Sequence, residues 1–485
     1  MALKDLFTPP APPAPGLYTY RLDLPGGKRR LHLRIAADGA GALFVDVNEV
    51  IHLNATAAEI AWLALEGAPP ERAQRLLWRR YGNTTRAQRN AAIGRIYLLI
   101  ARLKQPEPGC PTCAIADWVD FKPVFSTSVN APFKADLALT YACNNACAHC
   151  YNEEGRFGMA SLDLEAWQRV LDKLATLGVP HVILTGGEPT LHPDLLPLIR
   201  HAEKLGLMVG MNTNGRRLAQ RPFAEALAEA GLDHVQVTLE SSRAEVHNAM
   251  VDAAAFEQTV AGIQNALASG LHTLTNTTLT AANRDHALEI VDFVYGLGLR
   301  TFAMNGMIYA GGGAVAPEAI PSEELAALLA AVRDRAAALG MRFLWYTVTD
   351  YCRLSPLELE LDPKRCNAAE YSICIEPNGD VLPCQSYYVA AGNILNDPWD
   401  AIWNSALFRS FRDRETEPLA AGLPEACWDC PDLPVCGGGC RLEHERQSAP
   451  LAPERGCGRG GAPAKAPSTV SPARFPAPGT LAGPR

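Results

Sequence analysis

Apolar and polar positions alternate over residues 30–35 and 41–47, which predicts two strands. The segment LNATAAEIAWLALEG changes period. Ile60, Leu63 and Leu65 mark a helix, with Asn54 or Thr56 placed to cap it. Two more helices are predicted over 70–81 and 86–103. Residues 17–104 thus read as a small α+β, winged-helix-like module. Pro/Ala-rich residues 1–16 before it are expected to be flexible, and a Pro-rich linker spans 105–132.

Over residues 133–345, short apolar runs alternate with amphipathic stretches. ADLALTY, HVILTGG, LMVGMNT, HVQVTLE, HTLTNTTLT and RTFAMNGMIY read as strands. Helices are predicted over 163–177, 194–205 and 218–230. A long one runs up to Gly270, and another closes at Gly296 or Gly298. Six strand–helix units imply an α/β fold with a parallel sheet, its functional groups at the C-terminal strand ends. Eight units close a barrel, so six predict an open, partial (β/α)6 TIM-type barrel. Residues 346–457 read as a cysteine-rich, loop-rich domain, and 458–485, rich in Gly, Pro and Ala, are expected to be disordered.

The 485 residues are 48% hydrophobic, enough for more than one core. A net charge of -8 argues against a nucleic-acid partner. Yet residues 1–105 hold 15 Lys/Arg against 8 Asp/Glu, which suits either a solvated surface or a docking face for an acidic peptide or domain. The first residues lack an apolar signal core and no run of 18 apolar residues occurs, so a cytoplasmic protein with no membrane partner is expected. There, fourteen cysteines point to metal or cluster ligation instead of disulfides.

ALTYACNNACAHCYNEEG puts Cys143, Cys147 and Cys150 just past the first barrel strand. Spacings of four and three also fit one face of a helix, but the preceding strand and two Asn residues indicate a loop. Three thiolates there make a soft-metal site, and a cubane cluster held by three leaves one iron open. This CxxxCxxC resembles the signature of the radical S-adenosylmethionine (radical SAM) superfamily. The resemblance implies that S-adenosylmethionine chelates the open iron of a [4Fe–4S] cluster. One electron then breaks the sulfonium bond and yields a 5′-deoxyadenosyl radical, while the protein positions the cofactor. It places His149 beside the adenine, where the family usually has an aromatic carbocycle. The TGGEP segment (Gly186, Gly187, Glu188, Pro189), otherwise a tight turn, would bond the methionyl amino group, its glycines allowing close approach. Asn214 of NTNG holds another family-like position. Thr238 and Glu240 stand where the family often has Ser and Asp facing ribose or substrate.

On spacing alone, Cys427-x2-Cys430-x5-Cys436-x3-Cys440 also suits zinc. With Cys366, Gly379 and Cys384 upstream and Cys457 downstream, it resembles the SPASM extension, which holds two auxiliary iron–sulfur clusters. The resemblance implies Cys366, Cys384 and Cys440 on the first, and Cys427, Cys430, Cys436 and Cys457 on the second. The fourth ligand of the first is Cys352 or Cys374. A two-residue turn at Asn378 and Gly379 would pair Cys384 with Ile373 and turn Cys374 away, which favours Cys352 and makes Cys374 a core thiol; a bulge would reverse this. Cys110 and Cys113 fit neither cluster and suit a zinc half-site, a redox pair or an intruding loop.

VNEVIHLNATAAEIAWLALEG with ERAQRLLWRRYG resembles the peptide chaperone of pyrroloquinoline quinone biosynthesis and related recognition elements, with a generic winged-helix-like module as the alternative. The resemblance implies a leader peptide added to a sheet edge and tethered near the barrel. The expectation is an oxidoreductase that matures a ribosomally made precursor peptide by thioether formation, crosslinking, epimerisation or decarboxylation. Its auxiliary clusters would accept the released electron, and flavodoxin or ferredoxin would supply the reducing one. The alternatives are haem-type cofactor biosynthesis or sulfatase maturation, and a non-catalytic electron carrier or peptide scaffold. The open triad followed by GGEP disfavours a carrier. Tyr309, Glu240 and Asn305 also lie at strand ends, each with an ordinary structural reading.

Overall fold

In the computed structural model, residues 11–24, 27–46, 49–80, 85–105, 129–316 and 318–447 are described. Cys110, Cys113 and Cys457 lie outside them. The chain opens with an antiparallel meander of β1 (Gly16–Leu24), β2 (Gly27–Ile35), β3 (Gly41–Val45) and β4 (Glu49–Leu53). Helices α1 (Ala55–Leu65), α2 (Pro70–Arg80) and α3 (Arg86–Leu103) follow. Asn54 caps α1 by accepting from Ala57 N at 2.9 Å. Leu31, Leu33 and Ile35 face α1 and α3 in one core.

The opposite face of β2 is buried as well. Arg30, His32 and Arg34 are each under 8% exposed because they dock on the barrel. Arg30 donates to Leu207 O at 2.7 Å and pairs with Asp233 at 2.9 Å and with Glu203. His32 Nε2 meets Gly206 O at 2.7 Å, and Arg34 donates to Ala131 O at 3.0 Å. Arg21 pairs with Glu203 at 2.7 Å. Part of the N-terminal basic excess is therefore spent on an acidic patch of the same chain.

The barrel strands are β5 (Lys134–Thr140), β6 (His181–Gly186), β7 (Met208–Thr213), β8 (His234–Thr238), β9 (His272–Thr278), β10 (Thr301–Asn305) and β11 (Arg342–Trp345), parallel neighbours in that order. Six strand–helix units are present, with β11 as a seventh strand. Helices α4 (Leu164–Thr176), α5 (Leu195–Lys204) and α6 (Arg221–Ala230) come next to the first three strands, and Trp167, Val170, Leu174 and Leu198 pack inward. At the other edge, β5 pairs in parallel with β12 (Ser372–Ile375), which pairs with β13 (Val381–Leu382). The cysteine-rich segment thus completes one open sheet with the barrel. Among the described residues, no helix is long and apolar enough to cross a membrane.

Two expectations need correction. The long helix before Gly270 is two, α7 (Ala244–Val251) and α8 (Phe256–Ala268). Asp252 between them is left-handed at φ 46°, and Asn248 Oδ1 accepts from Ala255 N and Phe256 N, both at 2.9 Å. A local side-chain acceptor here competes with helix continuation. The β12–β13 turn is also longer than two residues. Cys374 pairs with Leu382 and Ile375 with Val381, so residues 376–380 form the turn. β13 ends at Leu382, so strand periodicity does not carry on to Cys384, which packs against the core holding Ile373 and Ile375, whereas Cys374 packs with Ala138, Tyr141 and Leu382.

Candidate active site

The N-terminal module covers the N-terminal strand ends, and the opposite end of the barrel carries the cysteine loop. The loop is held from several sides. Ala146 N and Ala148 N donate to Val251 O and Met250 O at 3.0 and 3.4 Å. The helix break at Asp252 is what leaves those terminal carbonyls available. Gly312 N donates to Cys150 O at 2.7 Å, Arg216 Nη1 to Asn145 Oδ1 at 2.9 Å, and Asn214 Nδ2 to Asn144 Oδ1 at 2.6 Å. Gly312, Arg216 and α7 were not found from the sequence. The triple glycine after β10 and the Asp252 break were the signals for two of them.

Cys143, Cys147 and Cys150 are brought together, close enough for the charges of Cys143 and Cys150 to raise the Cys147 thiol, after burial and Glu240. Burial also raises the Cys143 and Cys150 thiols. Crowded thiols that resist ionising alone, Cys143 on an exposed residue and Cys147 and Cys150 half-buried, suit a cationic occupant that takes the place of their protons. Among the described residues no three metal-binding side chains close around a single ion.

Gly186 and Gly187 serve backbone packing. A Cβ on Gly187 would strike the carbonyls of Tyr141 and Ala142, and one on Gly186 that of Thr140. Glycine is required there so that β6 can close on the end of β5. Gly187 N donates to Thr140 O at 2.7 Å and Glu188 N to Ala142 O at 2.8 Å. The Glu188 carboxylate is 1% exposed and accepts from Thr190 N at 3.0 Å, and from Thr190 Oγ1, Thr213 Oγ1 and Asn214 N at 2.7 Å. Burial raises its pKa against these donors. With its oxygens spent on the ends of β6 and β7, this side chain positions the Asn214 turn. Pro189 follows in a buried turn.

His149 Nε2 lies 3.0 Å from Glu240 Oε1, and Glu240 Oε2 accepts from Thr278 N at 2.8 Å. Burial lowers the pKa of His149, but the Glu240 charge and hydrogen bond lift it above its ordinary value. A fully buried carboxylate thus fixes the imidazole beside the cysteine loop. Thr238 is half-buried at the end of β8. Asn305 accepts from Asn276 Nδ2 at 2.7 Å, and Tyr309 lies under the Arg446 guanidinium at 4.4 Å. Both have structural partners.

In the C-terminal segment two thiol groups separate. Burial, then Cys366 and Cys440, push Cys384 up to about 12; burial, then Cys366, push Cys440 up to about 12. Burial, then the charges of Asp136 and Cys384, raise the Cys374 thiol well above its ordinary value. Apart from these, burial, Asp350, Cys436 and Cys430 push Cys427 up to about 11. Tyr351 N donates to Cys436 Sγ at 3.4 Å, so Cys352 follows a residue bonded to this second group. Between Cys436 and Cys440 the chain turns through Gly437, Gly438 and Gly439 at φ 67°, 72° and 73°, a left-handed run that side chains resist.

Residues 137–294 match the radical SAM superfamily, and residues 366–431 the SPASM iron–sulfur cluster-binding domain. The chain is 32% identical over 357 residues to the mycofactocin maturase MftC of Mycobacterium ulcerans, covering 70% of this chain and 92% of that one. It is 32% identical over 324 residues to the PqqA peptide cyclase of Methylocella silvestris, covering 63% and 81%. Among solved structures it shares its fold with Streptococcus suis SuiB, at TM-score 0.61, 18% identity and coverage of 85% and 95%. SuiB bound to precursor peptide SuiA gives TM-score 0.62 at 17% identity, covering 85% and 96%. A thiol triad at the open end of a partial barrel, family matches over both cysteine regions and relatives along most of the chain converge: this protein belongs to the radical SAM superfamily, an enzyme that works with a [4Fe–4S] cluster and S-adenosylmethionine and carries auxiliary iron–sulfur clusters in a SPASM domain.

Proposed function

We propose that the chain matures a ribosomally made precursor peptide. The observation that carries this reading is its 32% identity to proteins named as a maturase and a peptide cyclase. Cys143, Cys147 and Cys150 hold the cluster that, with S-adenosylmethionine bound, supplies a carbon-centred radical for hydrogen abstraction. Around it, Glu240 holds His149, Glu188 holds the Asn214 turn, and backbone atoms of the Gly186–Pro189 segment face the cofactor. Cys366, Cys384 and Cys440 hold the first auxiliary cluster. Their fourth ligand is Cys352 or Cys374. Cys427, Cys430 and Cys436 hold the second, with Cys457. The meander and α1–α3 bind the leader, and an external one-electron reductant such as flavodoxin or ferredoxin supplies the reducing electron in the cytoplasm.

The test is anaerobic reconstitution followed by incubation with S-adenosylmethionine, dithionite and short peptides encoded beside the gene. About twelve irons per chain, roughly four per cubane, deoxyadenosine and a mass change in one peptide are expected. Deoxyadenosine without change in any such peptide would overturn the substrate reading.

A further inference from the structure

The two cysteine regions are joined by a half-buried polar bridge that the reaction described above does not use. Tyr388 lies four residues beyond Cys384 and packs against the group formed by Ala138, Tyr141, Cys374 and Leu382. Its hydroxyl lies 3.2 Å from Tyr151 O and 3.0 Å from Asn152 Oδ1. Tyr151 is bonded covalently to Cys150 of the triad. Asn152 Nδ2 in turn donates to Gly186 O at 3.1 Å. The Arg156 guanidinium lies 4.2 Å over the Tyr388 ring and donates to Tyr388 O at 3.2 Å. Arg156 also pairs with Glu376, which accepts from Tyr141 at 2.9 Å.

Ring packing on Arg156 and on the Cys374 group would be served equally by phenylalanine. Among the hydrogen bonds of the described residues, it is the hydroxyl that joins the segment following Cys384 to the backbone of the triad loop. Electronic coupling falls less steeply across a hydrogen bond than across a van der Waals gap. The route runs along the chain from Cys384 to Tyr388, over one hydrogen bond to Tyr151 O, and along the chain to Cys150.

We propose that Tyr388 is a positioning residue whose hydroxyl provides the electron route between the first auxiliary cluster and the triad cluster. The electron count closes. Cleaving the sulfonium bond consumes one electron. Oxidising the substrate radical to product releases one electron and one proton, the proton going to solvent. A route between the clusters lets the released electron serve the next cleavage. The inference rests on Cys384 being an auxiliary ligand.

The test uses the full, reconstituted chain with Tyr388→Phe. The clusters are reduced by a flash-driven one-electron donor, and redistribution between their electron paramagnetic resonance signals is followed by freeze-quenching. Iron content and signal shapes should match the parent, with redistribution slowed several-fold. Asn152→Leu, which keeps the Tyr151 acceptor, should redistribute at the parent rate. Parent-rate redistribution in fully loaded Tyr388→Phe would overturn the inference. Cys384→Ala tests the underlying reading separately: iron falling by about four per chain sustains it, and unchanged iron sinks it.

Discussion

Lowering the pH should loosen the contact between the N-terminal module and the barrel, and one histidine should account for a definite share. His32 is fully buried at that contact, with Nε2 on Gly206 O and, among the described residues, no hydrogen-bond partner for Nδ1. Burial, reinforced by Arg30 and Arg21, lowers its pKa to about 4. His234, near His272 and Lys134, is also lowered to about 4, chiefly by burial, and burial holds His181 well below its ordinary value. Each folded-state pKa lies below the unfolded value near 6.5, so the open state binds more protons and stability falls as pH falls. From pH 7.5 to 5.5, one such group costs about 1.4 kcal/mol. Asp233 opposes this: burial raises its pKa to about 6 despite Arg30, so the folded state gains about 1 kcal/mol over the same window. His32→Gln keeps a donor for Gly206 O and removes the titration. Hydrogen exchange at residues 31–35, corrected for intrinsic rate, should show the parent losing about 1.4 kcal/mol more protection than the variant over that window. Equal pH dependence in both proteins would refute the reasoning.

Cys143→Ala should abolish deoxyadenosine formation while the C-terminal thiol groups retain their iron; cleavage at the parent rate would contradict the triad assignment. Asn248→Ala removes two hydrogen bonds at the α7–α8 break, so a loss of about 1–3 kcal/mol is expected, read as a lowered thermal midpoint. An unchanged midpoint would show that the break does not depend on Asn248. The proposed leader-binding module sits at the far end of the barrel from the cysteine loop, and the seven residues of β5 span roughly 23 Å at about 3.3 Å each. An extended precursor therefore needs at least about seven residues between its leader contact and its modified residue. Shortening that spacer should stop modification with leader affinity retained, and undiminished turnover would place the leader elsewhere.

Much of the fold and the triad could be read from the sequence because both follow local rules. Buried parallel strands give short apolar runs, glycine ends helices, and three cluster ligands fit within eight residues of one loop. The capped helix at Asn54 and the six strand–helix units are of this kind. Long-range geometry was not available there. Whether Arg30, His32 and Arg34 faced solvent or a second domain depended on partners far along the chain: Glu203 and Asp233 for Arg30, Gly206 for His32, and Asn130 and Ala131 for Arg34. The face occupied by Cys374 depended on a turn length that one residue shifts, and a shift of one reverses the side-chain faces. The role of Glu188 depended on donors from β7, which meet it only once the sheet has formed. Sequence by itself determined the chemistry the thiols can support. Tertiary structure alone decided which thiols group together, which carboxylates are already spent, and that the two cysteine regions meet at Tyr388, because side chains distant in sequence become neighbours only through packing.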